Sequence, residues 1–380
     1  VAQAKLFEVS ERSEPEFSVR KTKRTAFALL DGKPALFNEP TQKLYALNSL
    51  AALIWCRLEE NGRLEAARAD LMEAGVERKL AARYVEDAVT EWLRLGLLRA
   101  DCARPRETVG FQVDGVAHSI ETSSFEVSRA IAALFDPHSC AVEAAAAAHF
   151  DVIEVEGLPH VYFKEALIGV CKPDELAPTV KAVVTAGVLS REREDIVFHA
   201  ACLSRGDKVL LASGAPGSGK TTLALQLAAR GFGYASDDIT LVALDGSARG
   251  VPFAPTVKSG AWDIVGGIAP ELAGAPIHCR PDGKRVRYLP LQDFDPNSRP
   301  VGWIVFLNRR PEAAVDLVPV DAVEAMRRII EGSYTSNRRL SLAGFGALRR
   351  MLAGAKALEL NYASAAEAAD AIAGFCTHVA

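Results

Sequence analysis

The run KVLLASGAPGSGKTTLALQLAAR, residues 208–230, sets the frame for the rest of the chain. An apolar strand, Val209 to Ser213, leads into Gly214, Ala215, Pro216, Gly217, Ser218, Gly219, Lys220 and Thr221, which satisfy the pattern G-x-x-x-x-G-K-[ST]. From Thr222 the chain reads as a helix that Gly231 can terminate. Strand, glycine loop and helix in this order make a phosphate cradle. Glycines let backbone N–H groups close around phosphate oxygens at a helix N-terminus, where the helix dipole adds positive charge. Lys220 would bring a point charge to the outer phosphates of a nucleotide, and the Thr221 hydroxyl is placed to ligate Mg²⁺. Gly214 to Thr222 are therefore the nucleotide-binding candidates.

Two further features lie at suggestive distances from Lys220. Asp237 and Asp238 follow 17 and 18 residues later in GYASDDITLV. A helix of about ten residues and a short return strand would bring them to the end of the strand beside the loop. Two adjacent carboxylates there can divide the work, one holding a cation and one accepting a proton. His199 lies 21 residues before Lys220 in the strand-like VFHAA. A lone histidine in an apolar strand is ordinarily a satisfied core residue, so at this level His199 is either that or part of the site.

Around these motifs the chain alternates: VFHAACLS, DKVLLAS, a helix from about Lys220, GYAS, ITLVAL and WIVFLN predict an α/β layer with helices on a largely buried sheet. Upstream, TAFALLDG and PALFNE read as short strands. Asn48 can cap a helix carrying Ala51, Ile54, Trp55 and Leu58. Further helices are expected around Leu64 to Glu73 and with Tyr84, Ala88, Trp92 and Leu95 on one face, stopped by Gly96. This is a winged-helix pattern. CARPRE, 102–107, reads as a linker, FQVDGVAHSIE as a hairpin turning at Asp114-Gly115, and AVEAAAAAHF as helical.

At 380 residues the chain holds ~2.5 domains' worth of material. Its 49% hydrophobic and 24% charged residues exclude disordered, collagenous and coiled-coil classes. Lys+Arg 44 against Asp+Glu 48 leaves a net charge of −4, without the basic excess of a general nucleic-acid binder. The seven cysteines, Cys56, Cys102, Cys140, Cys171, Cys202, Cys279 and Cys376, are widely spaced and form no CxxC pair, which suits a reducing compartment and speaks against structural zinc. The first residues lack the apolar core of a secretory signal, and no uncharged apolar run is long enough to span a membrane. A cytoplasmic protein with neither nucleic acid nor membrane as partner is expected.

His199, the glycine loop and the Asp-Asp pair together resemble the HPr kinase/phosphorylase family, in which the histidine-to-lysine and lysine-to-aspartate spacings are similar. The resemblance is good from about Phe198 to Leu244. It implies a P-loop kinase related in fold to phosphoenolpyruvate carboxykinase, using ATP and Mg²⁺. Asp238 would be the base for an acceptor serine, Asp237 and Thr221 Mg²⁺ ligands, and His199 a supporting or catalytic residue. Where that family has Ser-Glu this chain has Thr221-Thr222, and its Leu-Glu-Ile-Arg-Gly-x-Gly stretch has no counterpart, so neither HPr as substrate nor phosphorylase activity follows. The segment VPFAPTVKSGAWDIV is more similar to the diverged members that act in peptide modification, including lasso-peptide precursor kinases, with Lys258 as a phosphate or substrate contact.

ALFNEPTQKLYALNSLAALIW and WLRLGLL are similar to PqqD-like domains, with Tyr45, Leu47, Asn48, Ile54, Trp55, Gly96 and Leu97 at the expected places. Such domains are precursor-recognition elements of ribosomal peptide pathways; a leader peptide adds as a strand to a sheet edge. The resulting expectation is a PqqD-like winged-helix domain over 1–100 and an HPr kinase-like P-loop α/β domain over 101–380. Together they would form a serine kinase for a recruited precursor peptide, with homo-oligomeric assembly as a further implication of the family. A metabolite kinase and a nucleotide-switched peptide-binding chaperone are the alternatives. Basic residues after the loop, Arg280, Lys284, Arg285, Arg287, Arg309-Arg310, Arg327-Arg328 and Arg338-Arg339, read as solvated charge, with GKRVRYLP the candidate among them for a phosphate contact.

Overall fold

The computed structural model describes residues 17–102, 107–122, 124–135, 148–155, 157–163, 166–189, 195–290, 294–334 and 339–377. They form a mixed α/β protein with several sheets and, among the described residues, ten α-helices. None of these helices is long and apolar enough to cross a membrane. The chain divides into two compact units, each discontinuous in sequence. One comprises Val1–Thr108, Ile120–Ser128 and His149–Pro173, the other Val109–Ser119, Arg129–Ala148 and Asp174–Ala380.

In the first unit an antiparallel sheet is built from Thr25–Leu30, Lys33–Asn38 and Lys43–Ala46, with Lys33–Asn38 in the centre. Three helices follow, Ser49–Asn61, Leu64–Glu73 and Arg78–Arg94. The Asn48 side chain accepts from the Ala51 N–H at 2.7 Å, which satisfies one of the open donors of the first helix. Ile54, Trp55 and Leu58 are its buried face. In the third helix the buried stripe is Ala81, Val85, Val89, Trp92 and Leu93, displaced from the Tyr84–Ala88–Trp92–Leu95 stripe expected, and Tyr84 is exposed. The helix ends at Gly96 in a Schellman motif: Gly96 N–H meets the Leu93 carbonyl, Leu97 N–H the Trp92 carbonyl, and Gly96 has φ 68°. Trp55 and Trp92 meet edge to face with ring centroids 5.1 Å apart.

Strands from beyond residue 100 complete this core. Ile153, Val155 and Tyr162, from the antiparallel pair Ala148–Val155 and Leu158–Phe163, are buried with Leu36, Trp55 and Leu97. Ala148–Phe150 thus open a strand, whereas the alanine run had suggested a helix; residues 141–147 of that run lie outside the described residues. Residues 103–106 of the expected linker lie outside them too, as do residues 1–16 and Arg338.

The second unit is organised by the strand Lys208–Ser213. It pairs antiparallel with Ala200–Arg205 on one side and parallel with Arg299–Arg309 on the other, which in turn pairs parallel with Lys356–Tyr362. Successive side chains of a strand point to opposite faces, and both faces here are covered. Leu210 and Ala212 enter one core with Leu223, Leu227 and Ile372. Val209 and Leu211 enter another with Ile329, Leu348 and Met351. Burial on both faces explains why the strand reads as an unbroken apolar run. The expected strand VFHAACLS is two strands, Ile196–Phe198 and Ala200–Arg205, broken at His199. The hairpin Glu107–Val113 and Val116–Thr122 turns at Asp114 (φ 49°) and Gly115 (φ 72°), as the Asp-Gly signal requires.

Gly62, just past the first helix, has φ 68°, and a Cβ built there would lie 2.4 Å from the Val19 carbonyl oxygen. Gly62→Ala is expected to destabilise the protein by about 1–3 kcal/mol from backbone strain and displacement of Val19. Urea unfolding checks this, and a midpoint equal to wild type would refute the account.

Candidate functional site

The strand Lys208–Ser213 delivers the chain to the glycine loop, and the helix Lys220–Ala228 takes it away. Gly217 (φ 89°) and Gly219 (φ 93°) occupy the left-handed region that favours glycine. A Cβ at Gly214 would lie 2.7 Å from Ser218 Oγ and 3.0 Å from Leu307 Cβ, and one at Gly219 2.8 Å from the Tyr362 hydroxyl. The loop is held by Tyr362, from a strand two places away in the same sheet, whose hydroxyl donates to the Ser218 carbonyl. Burial pushes the Tyr362 phenol up to about 12, so it remains a donor at neutral pH. The helix begins with no side chain capping it, which leaves its first N–H groups open to an anion. Ser218 Oγ is buried without a hydrogen-bond partner.

Lys220 Nζ donates to the Gly214 carbonyl at 2.7 Å across the base of the loop. Burial lowers the pKa of this ammonium; Asp238 raises it, Lys258 lowers it and Asp237 raises it in decreasing measure. Thr221, next along, donates from Oγ1 to Asp237 Oδ2 at 2.7 Å.

The two aspartates have opposite surroundings. Asp237 is 4% exposed. Besides Thr221 it accepts from the Tyr234 hydroxyl at Oδ1 (3.0 Å) and the Thr256 N–H at Oδ2 (3.4 Å). Burial, reinforced by the Asp237 charge, holds the Tyr234 phenol well above its usual pKa and keeps it a donor. Asp238 is 61% exposed at its side chain, and its Oδ1 lies 3.2 Å from Nδ1 of His199, itself 45% exposed. The break between strands turns His199 outward while Phe198 and Ala200 on either side are buried. His199 N–H donates to the Gly332 carbonyl at 2.9 Å, and its own carbonyl accepts from Ser213 Oγ at 3.4 Å. His199 is therefore no satisfied core residue. It faces the second aspartate.

Thr221 and Asp237 offer two hard oxygens 2.7 Å apart, close to the about 3.0 Å between adjacent ligands of an octahedral ion with ~2.1 Å bonds. The donor set fits Mg²⁺, and the uncapped amides with Lys220 fit a polyphosphate. Lys258 ends the strand Thr256–Lys258, and its charge acts on Lys220. The basic loop GKRVRYLP is otherwise engaged: Arg285 and Arg287 lie over the Trp262 ring at 5.6 and 4.5 Å, while Lys284 and Arg280 pair with Asp282 at 3.2 Å. Arg327 and Arg328 pair with Glu324.

Tyr234, Thr256, Tyr362 and Lys181 escaped the sequence reading. Lys181 donates from Nζ to the Ala254 carbonyl at 2.8 Å and to Thr256 Oγ1 at 2.7 Å. Its signal was available, as the only charged residue of LAPTVKAVVTAGVL. The other three have no local pattern, because each reaches the site from another element.

Saturating inorganic tripolyphosphate should raise the melting temperature of the wild type by several degrees through binding to the native state alone. In Gly219→Ala the added Cβ displaces Tyr362 and the loop, and the rise should be largely lost. An equal rise in the two proteins in a thermal melt would contradict this reading of the loop.

Compared with protein-family models and with curated proteins, the chain matches none. A solved structure to which it is similar is TbiB1 in complex with the TbiA(beta) leader peptide. The identity is 22%, the match spans 21% of this chain and 94% of that one, and the TM-score is 0.20.

Proposed function

We propose that this chain is an HPr kinase-like, ATP- and Mg²⁺-dependent kinase that phosphorylates a serine-type hydroxyl of a peptide or protein recruited through a PqqD-like first unit. The observation that carries this reading is the contrast between two adjacent aspartates at the mouth of one glycine loop. Asp237 is buried under three donors, one of them the Thr221 hydroxyl, and Asp238 is open and paired with His199. A fixed carboxylate suits a cation, and a free one suits a substrate proton.

In this reading the loop amides and Lys220 bind and orient the nucleotide phosphates, and Thr221 with Asp237 would hold Mg²⁺. When bound, the ion neutralises phosphate charge. Asp238 takes the proton of the acceptor hydroxyl as its oxygen bonds to the γ-phosphorus. The bond from that phosphorus to its bridging oxygen breaks, and ADP leaves. His199 Nδ1–H, in that tautomer, donates to Asp238 and aims its free oxygen. The exposure of Asp238 and His199 favours an acceptor carried on a protruding segment, which meets the base without opening any element. Catalysis of this kind is positioning and charge neutralisation.

Recruitment rests on the PqqD-like resemblance and on an open edge. Within the three-stranded sheet of the first unit, Lys43–Ala46 is an outer strand, and its Leu44 is 58% exposed. A peptide adding there gains backbone hydrogen bonds and an apolar contact.

Asp238→Asn should abolish transfer from labelled ATP to a substrate peptide while nucleotide affinity stays near wild type. Turnover by the variant at the wild-type rate would exclude Asp238 as the base. Leu44→Asp should raise KM for a leader-bearing peptide about tenfold, as loss of one apolar anchor does, with kcat unchanged. An unchanged KM in steady-state assays would remove this edge as the recruiting surface.

A further inference from the structure

The helix Leu176–Leu189 carries Lys181 as its single charged residue, and that lysine is half-buried. Nζ gives one hydrogen bond to the Ala254 carbonyl at 2.8 Å and one to Thr256 Oγ1 at 2.7 Å. It also lies over the rings of Phe253 (5.5 Å) and Tyr288 (5.2 Å), whose negative faces attract a cation. One cation therefore gathers a ring, a carbonyl and a hydroxyl from the segment Phe253 to Thr256. Burial lowers its pKa, Asp237 and Asp238 raise it, and Arg280 lowers it.

Even partial burial of an ammonium carries a desolvation penalty that packing alone does not justify, since an unbranched apolar residue would fill the same space. The reason for a lysine lies one residue further on. Thr256 accepts from Lys181 with its hydroxyl and donates with its backbone N–H to Asp237 Oδ2 at 3.4 Å. The same carboxylate oxygen accepts from Thr221. A line of contacts thus runs from Lys181 through Thr256 to Asp237 and Thr221, drawn from two helices, a strand and the bend that follows Gly233–Ser236.

We propose that Lys181 is a positioning residue for the Thr221–Asp237 pair, and that through Thr256 it fixes the Asp237 carboxylate in the orientation that receives a divalent cation. This rests on the reading of Thr221 and Asp237 as the Mg²⁺ residues. Outer partners of metal ligands act by locking orientation, and their loss typically weakens metal affinity by about ten- to a hundredfold.

The test uses the full chain and no phosphoryl transfer. Calorimetry measures ADP affinity without metal and with saturating Mn²⁺, and the ratio reports the coupling between nucleotide and ion. In Lys181→Met and in Thr256→Val the ratio should fall about tenfold while metal-free ADP affinity holds. The double variant should lose no more than either single one, as members of one line of contacts do. A purely structural lysine would lower the melting temperature and leave the ratio alone, and a lysine acting only as a repelling charge would raise the ratio on removal; either result overturns the inference. Should Lys181→Met fail to fold, Thr256→Val decides. If wild-type ADP affinity does not respond to Mn²⁺, the metal reading of Asp237 falls and this inference falls with it. Wild-type coupling that persists in the variants overturns the inference alone.

Discussion

A carboxylate shut away from water must be met by donors, and Asp237 is such a group. At 4% exposure it accepts from Thr221 on the helix that leaves the glycine loop, from Tyr234 on the strand Gly233–Ser236, and from the Thr256 N–H in a third element. Without these donors its burial would cost several kcal/mol. Three elements are tied to one point in consequence. Asp238 is carried on the next residue and faces the opposite way, where it meets His199.

The sheet supplies the rigidity this arrangement needs. The strand Lys208–Ser213 alternates its side chains into two cores, so it can shift neither in register nor in tilt without moving both. Its end point, Gly214, is thereby fixed, and the loop inherits that position. Tyr362, from a strand two places away in the same sheet, then holds Ser218 from beneath. A site built on strand and helix ends in this way is more exact than one hung on free loops. His199 belongs to the same logic. It lies at the break between two strands of one sheet, exposed while Phe198 and Ala200 on either side are buried.

Elements with strong local signals were legible. The glycine loop, the Asn48 cap, the Gly96 stop and the Asp114-Gly115 turn each follow from chemistry within a few residues. The placement of Asp237 and Asp238 beside the glycine loop also followed, since a helix and a return strand of known length leave little choice. The misreadings have a common cause. The alanine run before Phe150 has high helix propensity, yet its described end opens the strand Ala148–Val155, which pairs with Leu158–Phe163 from Phe150 onward. The stripe on Arg78–Arg94 was displaced because Tyr84 and Ala88 fit a helical period as well as Val85 and Val89 do, and only the packing partner selects between them.

The sequence by itself determined the order of most elements, the glycine-loop pattern, and the spacing that sets two aspartates and a histidine around it, because these depend on periodicity, glycine freedom and chain length. The tertiary structure alone decided which aspartate is buried and which is open, that strands beyond residue 100 join the first unit's core, and that Lys181, Thr256 and Tyr362 converge on the site. Those facts depend on which surfaces meet across long stretches of chain. Desolvation and hydrogen-bond satisfaction act only once such surfaces have met.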